Sequence, residues 1–135
     1  MFLGEYEHTV DAKGRIAVPA RYRAKMDRGA VISKGMGPCL AVYTMDRWEE
    51  KSAELVAGKS NDELRDFERL IYPSASEVDL DSQGRMMIPA RLRTHADLAS
   101  EVTVVGVRDH FEIWDRKAWQ AYQEQLDTQG NKIPF

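Results

Sequence analysis

The sequence predicts an α+β fold in which two tandem copies of one strand-rich unit pair about a pseudo-two-fold into a β-barrel, with helices added. Three observations predict it. The segment from Asp11 to Arg23 (DAKGRIAVPARYR) returns seventy positions later from Asp81 to Arg93 (DSQGRMMIPARLR), with seven of thirteen positions identical. After a one-residue slip the echo continues, matching Val31 with Val102, Gly35 with Gly106, Leu40 with Phe111, Val42 with Ile113, Tyr43 with Trp114 and Trp48 with Trp119. Each copy holds only four short strand candidates, too few to cover its own apolar face, so the copies are expected to bury those faces against each other.

The elements follow in order. Tyr6, His8 and Val10 alternate with polar neighbours, as do Val78 and Leu80, which is the pattern of half-buried strands. A tight turn comes next in each copy, with Gly14 or Gly84 supplying a positive φ and Asp11 or Asp81 placed to bond the backbone. Ile16-Ala17-Val18 and Met86-Met87-Ile88 resume a strand. Pro19 and Pro89 then open short helices reaching Met26 and Ala96, because proline lacks a donor and presets φ for a first helical turn. Further strands are expected at 30–34, 39–43, 102–106 and 110–114. Asp115 suits the N-cap of a last helix carrying Trp119, Tyr122 and Leu126 on one stripe, and Met45, Trp48 and Leu55 suggest its counterpart. Between the copies, Ser60 to Glu63 forms a capping-box pattern ahead of Leu64, Phe67 and Ile71, and Tyr72-Pro73 ends that helix. The expected organisation is one domain over 1–135: a first repeat at 1–57, a connecting helix at 58–75 and a second repeat at 76–128.

With 43% hydrophobic and 30% charged residues, the 135-residue chain has ordinary globular composition, which excludes a tail or linker. Its apolar runs, such as 102–107, fall far short of the roughly 20 residues a membrane helix needs. The first residues lack a basic and then apolar leader, and the single cysteine, Cys39, cannot form an internal disulfide, so a cytoplasmic protein with a packed thiol is expected. The net charge of −3 argues weakly against nucleic acid until its distribution is considered. Asp11 to Arg28 is +4 and Asp81 to Arg93 is +2, while Asp46 to Arg69 and the segment after Arg93 are each −3. Segregation of this kind lets a basic surface exist on an acidic protein.

The doubled Asp-x-x-Gly-Arg-x-x-x-Pro-Ala-Arg-x-Arg block, opening close behind a Met-Phe-x-Gly start, closely resembles the MraZ family of bacterial transcriptional regulators over nearly the whole chain. Asp-x-Lys-Gly-Arg followed by proline and arginine is also similar to AbrB-like swapped-hairpin DNA-binding domains, in which one copy usually dimerises. The resemblance implies a swapped-hairpin barrel, homo-oligomeric rings, and binding of double-stranded DNA at short direct repeats upstream of a division and cell-wall gene cluster, hence a nucleoid-associated protein. One departure is visible: the second copy has Gln83 where the first has Lys13.

Arg15 and Arg85 follow the turn glycines, so their side chains should start from rigid, exposed reversals. A guanidinium there can fork onto phosphate or onto O6 and N7 of guanine. On the same loops Lys13 suits phosphate and Gln83 can bond adenine. The bland alternative is a pair of solvated turn charges beside Asp11 and Asp81. Arg21, Arg23, Arg91 and Arg93 lie on the short helices, where DNA contact and a local salt bridge to the turn aspartate both remain open; Arg23 and Arg93 match the family's arginine after the proline and rank above the other two. The candidate DNA contacts are therefore Lys13, Arg15, Arg23, Gln83, Arg85 and Arg93.

His8, His95, His110 and Cys39 are scattered without metal-ligand spacing, and neither a nucleophile elbow, a phosphate-binding glycine loop nor His-Glu-x-x-His occurs. No enzyme, cofactor, metal, small-molecule substrate or membrane partner is expected. The alternative is an antitoxin-like interaction module that holds a protein partner through residues 115–135.

Overall fold

The computed structural model describes residues 1–129; the end of the 115–135 segment lies outside them. In the first copy, β1 (Glu5–Thr9), β2 (Arg15–Ala17), α1 (Ala20–Arg23), β3 (Ala30–Lys34), β4 (Leu40–Thr44) and α2 (Met45–Val56) follow one another. After α3 (Asn61–Ile71) and a 3-10 turn (Tyr72–Ser74), the second copy repeats the order as β5 (Ser76–Glu77), β6 (Arg85–Met87), α4 (Ala90–His95), β7 (Glu101–Gly106), β8 (Phe111–Asp115) and α5 (Arg116–Thr128). The helix starts at Ser60 and Asp115 follow their sequence signals, and Thr44 caps a third. Thr44 and Asp115 cap α2 and α5 through bonds to the Arg47 and Ala118 amides, and Ser60 and Glu63 complete both bonds of a capping box on α3.

The copies exchange strands. A six-stranded antiparallel sheet runs β1-β7-β8-β4-β3-β5, so the first strand of each copy is donated to the other copy's hairpin. A separate two-stranded ribbon joins β2 to β6. At both central seams a residue faces its own counterpart: Ile16 opposes Met86 in the ribbon and Ala41 opposes Glu112 between β4 and β8. This is the geometry of a pseudo-two-fold passing through both seams. The expected closed barrel is not what forms, because β1 and β5 end the larger sheet without pairing to each other.

One core serves both copies. Ile16, Val18, Tyr22, Ile32, Leu40 and Val42 of the first pack with Met86, Ile88, Leu92, Val102, Val104, Phe111 and Ile113 of the second, all buried. Phe2 joins them, edge-on to Tyr22 at 5.0 Å, while its backbone pairs with Arg108. Gly106 lets this N-terminal segment cross, since a Cβ there would stand 2.5 Å from the Leu3 amide nitrogen. A smaller cluster of Cys39, Val105 and Trp114 lies against Trp119, with Tyr122 stacked on Trp114 at 5.2 Å. Cys39 is fully buried as a free thiol, and burial pushes it up to about 12.

Several expectations are corrected. The strand around Val78 and Leu80 shortens to Ser76–Glu77 plus an isolated Leu80–Met86 bridge, since the aspartates at 79 and 81 are poor strand formers at the edge of a sheet. The short helices end at Arg23 and His95, earlier than Met26 and Ala96. Leu55 is exposed rather than on the packed stripe of α2. Among the described residues, no helix is long and apolar enough to cross a membrane.

A polar seam also joins the copies. Arg47 on α2 bonds Asp109 at 2.9 Å, and Tyr43 on β4 stacks on His110 at 4.7 Å. His110 in turn bonds Asp109 at 2.8 Å through Nδ1 and Glu112 at 3.2 Å through Nε2. Burial pulls the imidazole down, but the bonds to Glu112 and then Asp109 outweigh it and raise its pKa above the ordinary 6.5. Asp109 is buried enough to be pushed up, yet its bonds to His110 and Arg47 hold it at about 2.

Two outcomes follow from this packing. Leu92→Ala should cost about 2–5 kcal/mol in urea unfolding, the range for deleting a fully buried leucine. Because folding raises the His110 pKa, its stabilisation should be complete below about pH 6.5 and lost as pH rises through the folded value. The stability gap between wild type and His110→Gln should therefore shrink on raising pH from 6 to 9; a constant gap would contradict a charged His110.

Candidate nucleic-acid interface

The two arginine-bearing turns have near-identical geometry. In the first, the Asp11 carboxylate Oδ1 accepts from the Lys13 and Arg15 amides at 2.9 Å each, and the Asp11 carbonyl accepts from Gly14 at 3.0 Å. In the second, Asp81 accepts from Gln83 and Arg85 at 2.9 Å each and from Gly84 at 3.0 Å. Gly14 and Gly84 stand at φ +81° and +76°, the left-handed region the turn requires. Each aspartate uses its other oxygen on the arginine that follows, at 2.8 Å from Asp11 Oδ2 to Arg15 Nε and 2.9 Å from Asp81 Oδ2 to Arg85 Nε. The Arg15 amide is the chief cause holding the Asp11 carboxyl below its usual range, and the Arg85 amide does the same for Asp81.

The turns are tied across the copies. Val18 N–H donates to the Gly84 carbonyl at 3.0 Å and Ile88 N–H to the Gly14 carbonyl at 2.8 Å, flanking the β2–β6 ribbon. Alternation along the ribbon then sorts the side chains. Ile16 and Met86 turn into the core, and Arg15, Ala17, Arg85 and Met87 share the outer face, with Arg15 opposite Met87 and Ala17 opposite Arg85. The arginines are close enough that Arg85 Nη1 reaches 4.0 Å from Asp11.

The six candidates are thus placed in two ways. Lys13 and Gln83 are exposed on the turns. Arg15 and Arg85 share one outer face, yet they are not freely extended: each is held at Nε by the turn aspartate and is 28% exposed. The aspartate partner is the strand arginine, and not a helix arginine. Arg23 and Arg93 are half-buried, each across the turn glycine of the other copy: Arg93 occupies the space a Cβ on Gly14 would need, and Arg23 that of Gly84. Arg21 and Arg91 are exposed on α1 and α4. Sequence reasoning passed over Ala17 and Met87, although the two-residue period of a strand places them beside Arg15 and Arg85.

A tandem-duplicated, strand-exchanged α+β protein with one arginine-bearing turn per copy is the class these features define. The family model described as "MraZ protein, putative antitoxin-like" matches residues 1–70 and again 71–133. The chain is 43% identical to a protein named Transcriptional regulator MraZ from Ligilactobacillus salivarius (strain UCC118), over 98% of this chain and 94% of that protein. It is 39% identical to one of the same name from Roseiflexus castenholzii (strain DSM 13941 / HLO8), over 97% and 92%. The chain belongs to the MraZ family.

The turn geometry carries its own test. In an NMR titration the Asp11 and Asp81 carboxyls should both show midpoints below 3.8, and Arg15→Ala should restore only part of the Asp11 shift, because the residue-15 amide bond survives the substitution. As these pKa values are lowered by folding, the turns' contribution is present above about pH 4 and lost as pH falls through the depressed midpoints.

Proposed function

We propose that this chain is a sequence-specific DNA-binding transcriptional regulator, a swapped-hairpin protein of AbrB-like type whose β2–β6 ribbon faces double-stranded DNA. The observation that carries this reading is the pair of arginines on one outer face, on a ribbon whose other face is locked into the core. B-DNA's major groove admits a two-stranded β-ribbon. A guanidinium has five donors, and the turn aspartate hydrogen-bonds only Nε, with Arg85 Nη1 no nearer than 4.0 Å to Asp11, so the Nη donors of Arg15 and Arg85 remain to bond O6 and N7 of guanine or phosphate. The aspartates also lower the net charge of the face, which shifts the arginines' role from attraction toward orientation. Lys13 then supplies phosphate contact in the first copy, and Gln83 an amide able to pair with adenine in the second.

Two turns make few contacts, so affinity is supplied by repetition. The protein acts as a homo-oligomeric ring on short direct repeats in the promoter of a division and cell-wall gene cluster, associated with the nucleoid. Linked modules gain orders of magnitude in avidity when their spacing matches that of their sites.

Selection from random DNA should return a short repeated motif, and affinity for it should fall steeply with salt. Arg15→Ala and Arg85→Ala together should abolish the specific gel shift, with the unfolding curve and the sedimentation coefficient unchanged. Undiminished binding by the double variant would overturn the assignment. Recovery of one stoichiometric protein partner and no DNA would favour the antitoxin-like reading instead.

A further inference from the structure

The structure assigns Arg23 and Arg93 as crosswise positioning residues: each holds the DNA-facing turn of the opposite copy rather than contacting DNA itself. The role in DNA binding rests on the function proposed above; the positioning rests on the fold alone.

Three features of the chain converge on this. First, the placement is reciprocal. Arg93 of the second copy lies over Gly14 of the first, with its Cζ 2.7 Å from where a Cβ would stand, and Arg23 of the first copy lies over Gly84 of the second, with both Cδ and Cζ at 2.7 Å from that point. Two copies that differ at six of thirteen positions in this block keep both the glycine and the arginine. The positive φ accounts for each glycine by itself, but not for the arginine that fills the space above it.

Second, the arginine sits at the junction where the turn meets the ribbon. The carbonyl of each turn glycine accepts the amide that follows the opposite strand, Ile88 N–H on Gly14 and Val18 N–H on Gly84. The covering arginine arises from the same copy as that amide, five residues further along in both cases, one helical turn past the N-cap proline, Pro89 or Pro19. Backbone bond and guanidinium thus meet at one glycine. A flat, delocalised guanidinium can lie across a peptide at close range, which a compact ammonium on a flexible stem does not do as well.

Third, the candidate contacts emerge directly from the clamped glycine. Lys13 precedes Gly14 and Arg15 follows it; Gln83 precedes Gly84 and Arg85 follows it. Arg93 therefore governs Lys13 and Arg15, and Arg23 governs Gln83 and Arg85. The two copies do not carry independent reading heads, since each head is set by a side chain of the other copy.

The test uses the full-length chain. Amide hydrogen exchange by NMR is measured for wild type, Arg93→Ala, Arg93→Lys, Arg23→Ala and Arg23→Lys, with Val104 and Ile113 as core controls. Substitutions at Arg93 should speed exchange at least tenfold at Gly14 and Arg15 and leave Gly84 and Arg85 unchanged; those at Arg23 should do the reverse. Loosening of the same copy's turn, of both turns equally, or of neither overturns the assignment. The lysine variants keep the charge and most of the stem, so they retain a folded readout if the alanine variants unfold.

Binding is then measured with a fluorescent duplex of the sequence that wild type selects from random DNA. Arg93→Ala should weaken binding at least tenfold in wild type and in an Arg85→Ala background, but less than twofold when Lys13→Ala and Arg15→Ala are already present. Arg93→Lys should lose nearly as much as Arg93→Ala, whereas a direct phosphate contact would survive the exchange for lysine. Equal losses in every background would make Arg93 a direct contact and overturn the positioning role. If wild type selects no duplex, the DNA reading fails, and the exchange data alone decide the crossed clamp.

Discussion

The structure turns on the crossing of the two copies at the β2–β6 ribbon. Three paired residues on each side would not hold a two-stranded ribbon in water. Here the ribbon is closed at both ends by the reciprocal bonds onto the Gly14 and Gly84 carbonyls, and its inner face places Ile16 and Met86 in the common core. Strand exchange in the larger sheet reinforces the crossing, because β1 lies on β7 and β5 on β3. Pulling one copy away breaks the ribbon, both turn anchors and the outer strands of the sheet together.

That crossing turns a symmetric scaffold into an asymmetric surface. Inside, the substitutions between copies are compensated: Tyr22 stands where Leu92 does, and the tyrosine uses its extra reach to bond the Leu3 carbonyl and pack on Phe2 and Phe111. Outside, the differences stay chemically distinct. Lys13 matches Gln83 and Ala17 matches exposed Met87, while the aspartate and arginine of each turn keep the same geometry to within 0.1 Å. A shared mount thus carries two chemically unlike tips.

The second seam between copies has another chemistry. The ribbon and core are joined by apolar burial and backbone bonds, which are insensitive to pH near neutrality. Arg47, Asp109, His110 and Glu112 join the far side through ionised groups, each with 14–22% of its side chain exposed. The two carboxylates are each paired and hydrogen-bonded, the condition under which partly buried charge is tolerated. Strain on one seam is thus separable from strain on the other by pH.

Much of this was determined by the sequence alone. The repeat, the glycine turns, Asp11 and Asp81 as backbone acceptors, the capping box at Ser60, the Asp115 cap and strand β3 all rest on local chemistry or short periodicity, which a linear chain carries in full. Family membership rests on the same block of residues. What the tertiary structure decided is everything that depends on a partner distant in the chain. The β-strand exchange is implied by the family resemblance and by no local pattern, while the open six-stranded sheet in place of a closed barrel, the shortening of β5 and the burial of Phe2 depend on which surfaces meet. The sorting of the arginines is of this kind: Arg15 and Arg23 are both cations of one block, and only the arrival of the other copy leaves the first on an outer face and lays the second across Gly84. Sequence periodicity reports which face of its own element a side chain is on, but carries no term for the opposing surface that fills the space above a glycine.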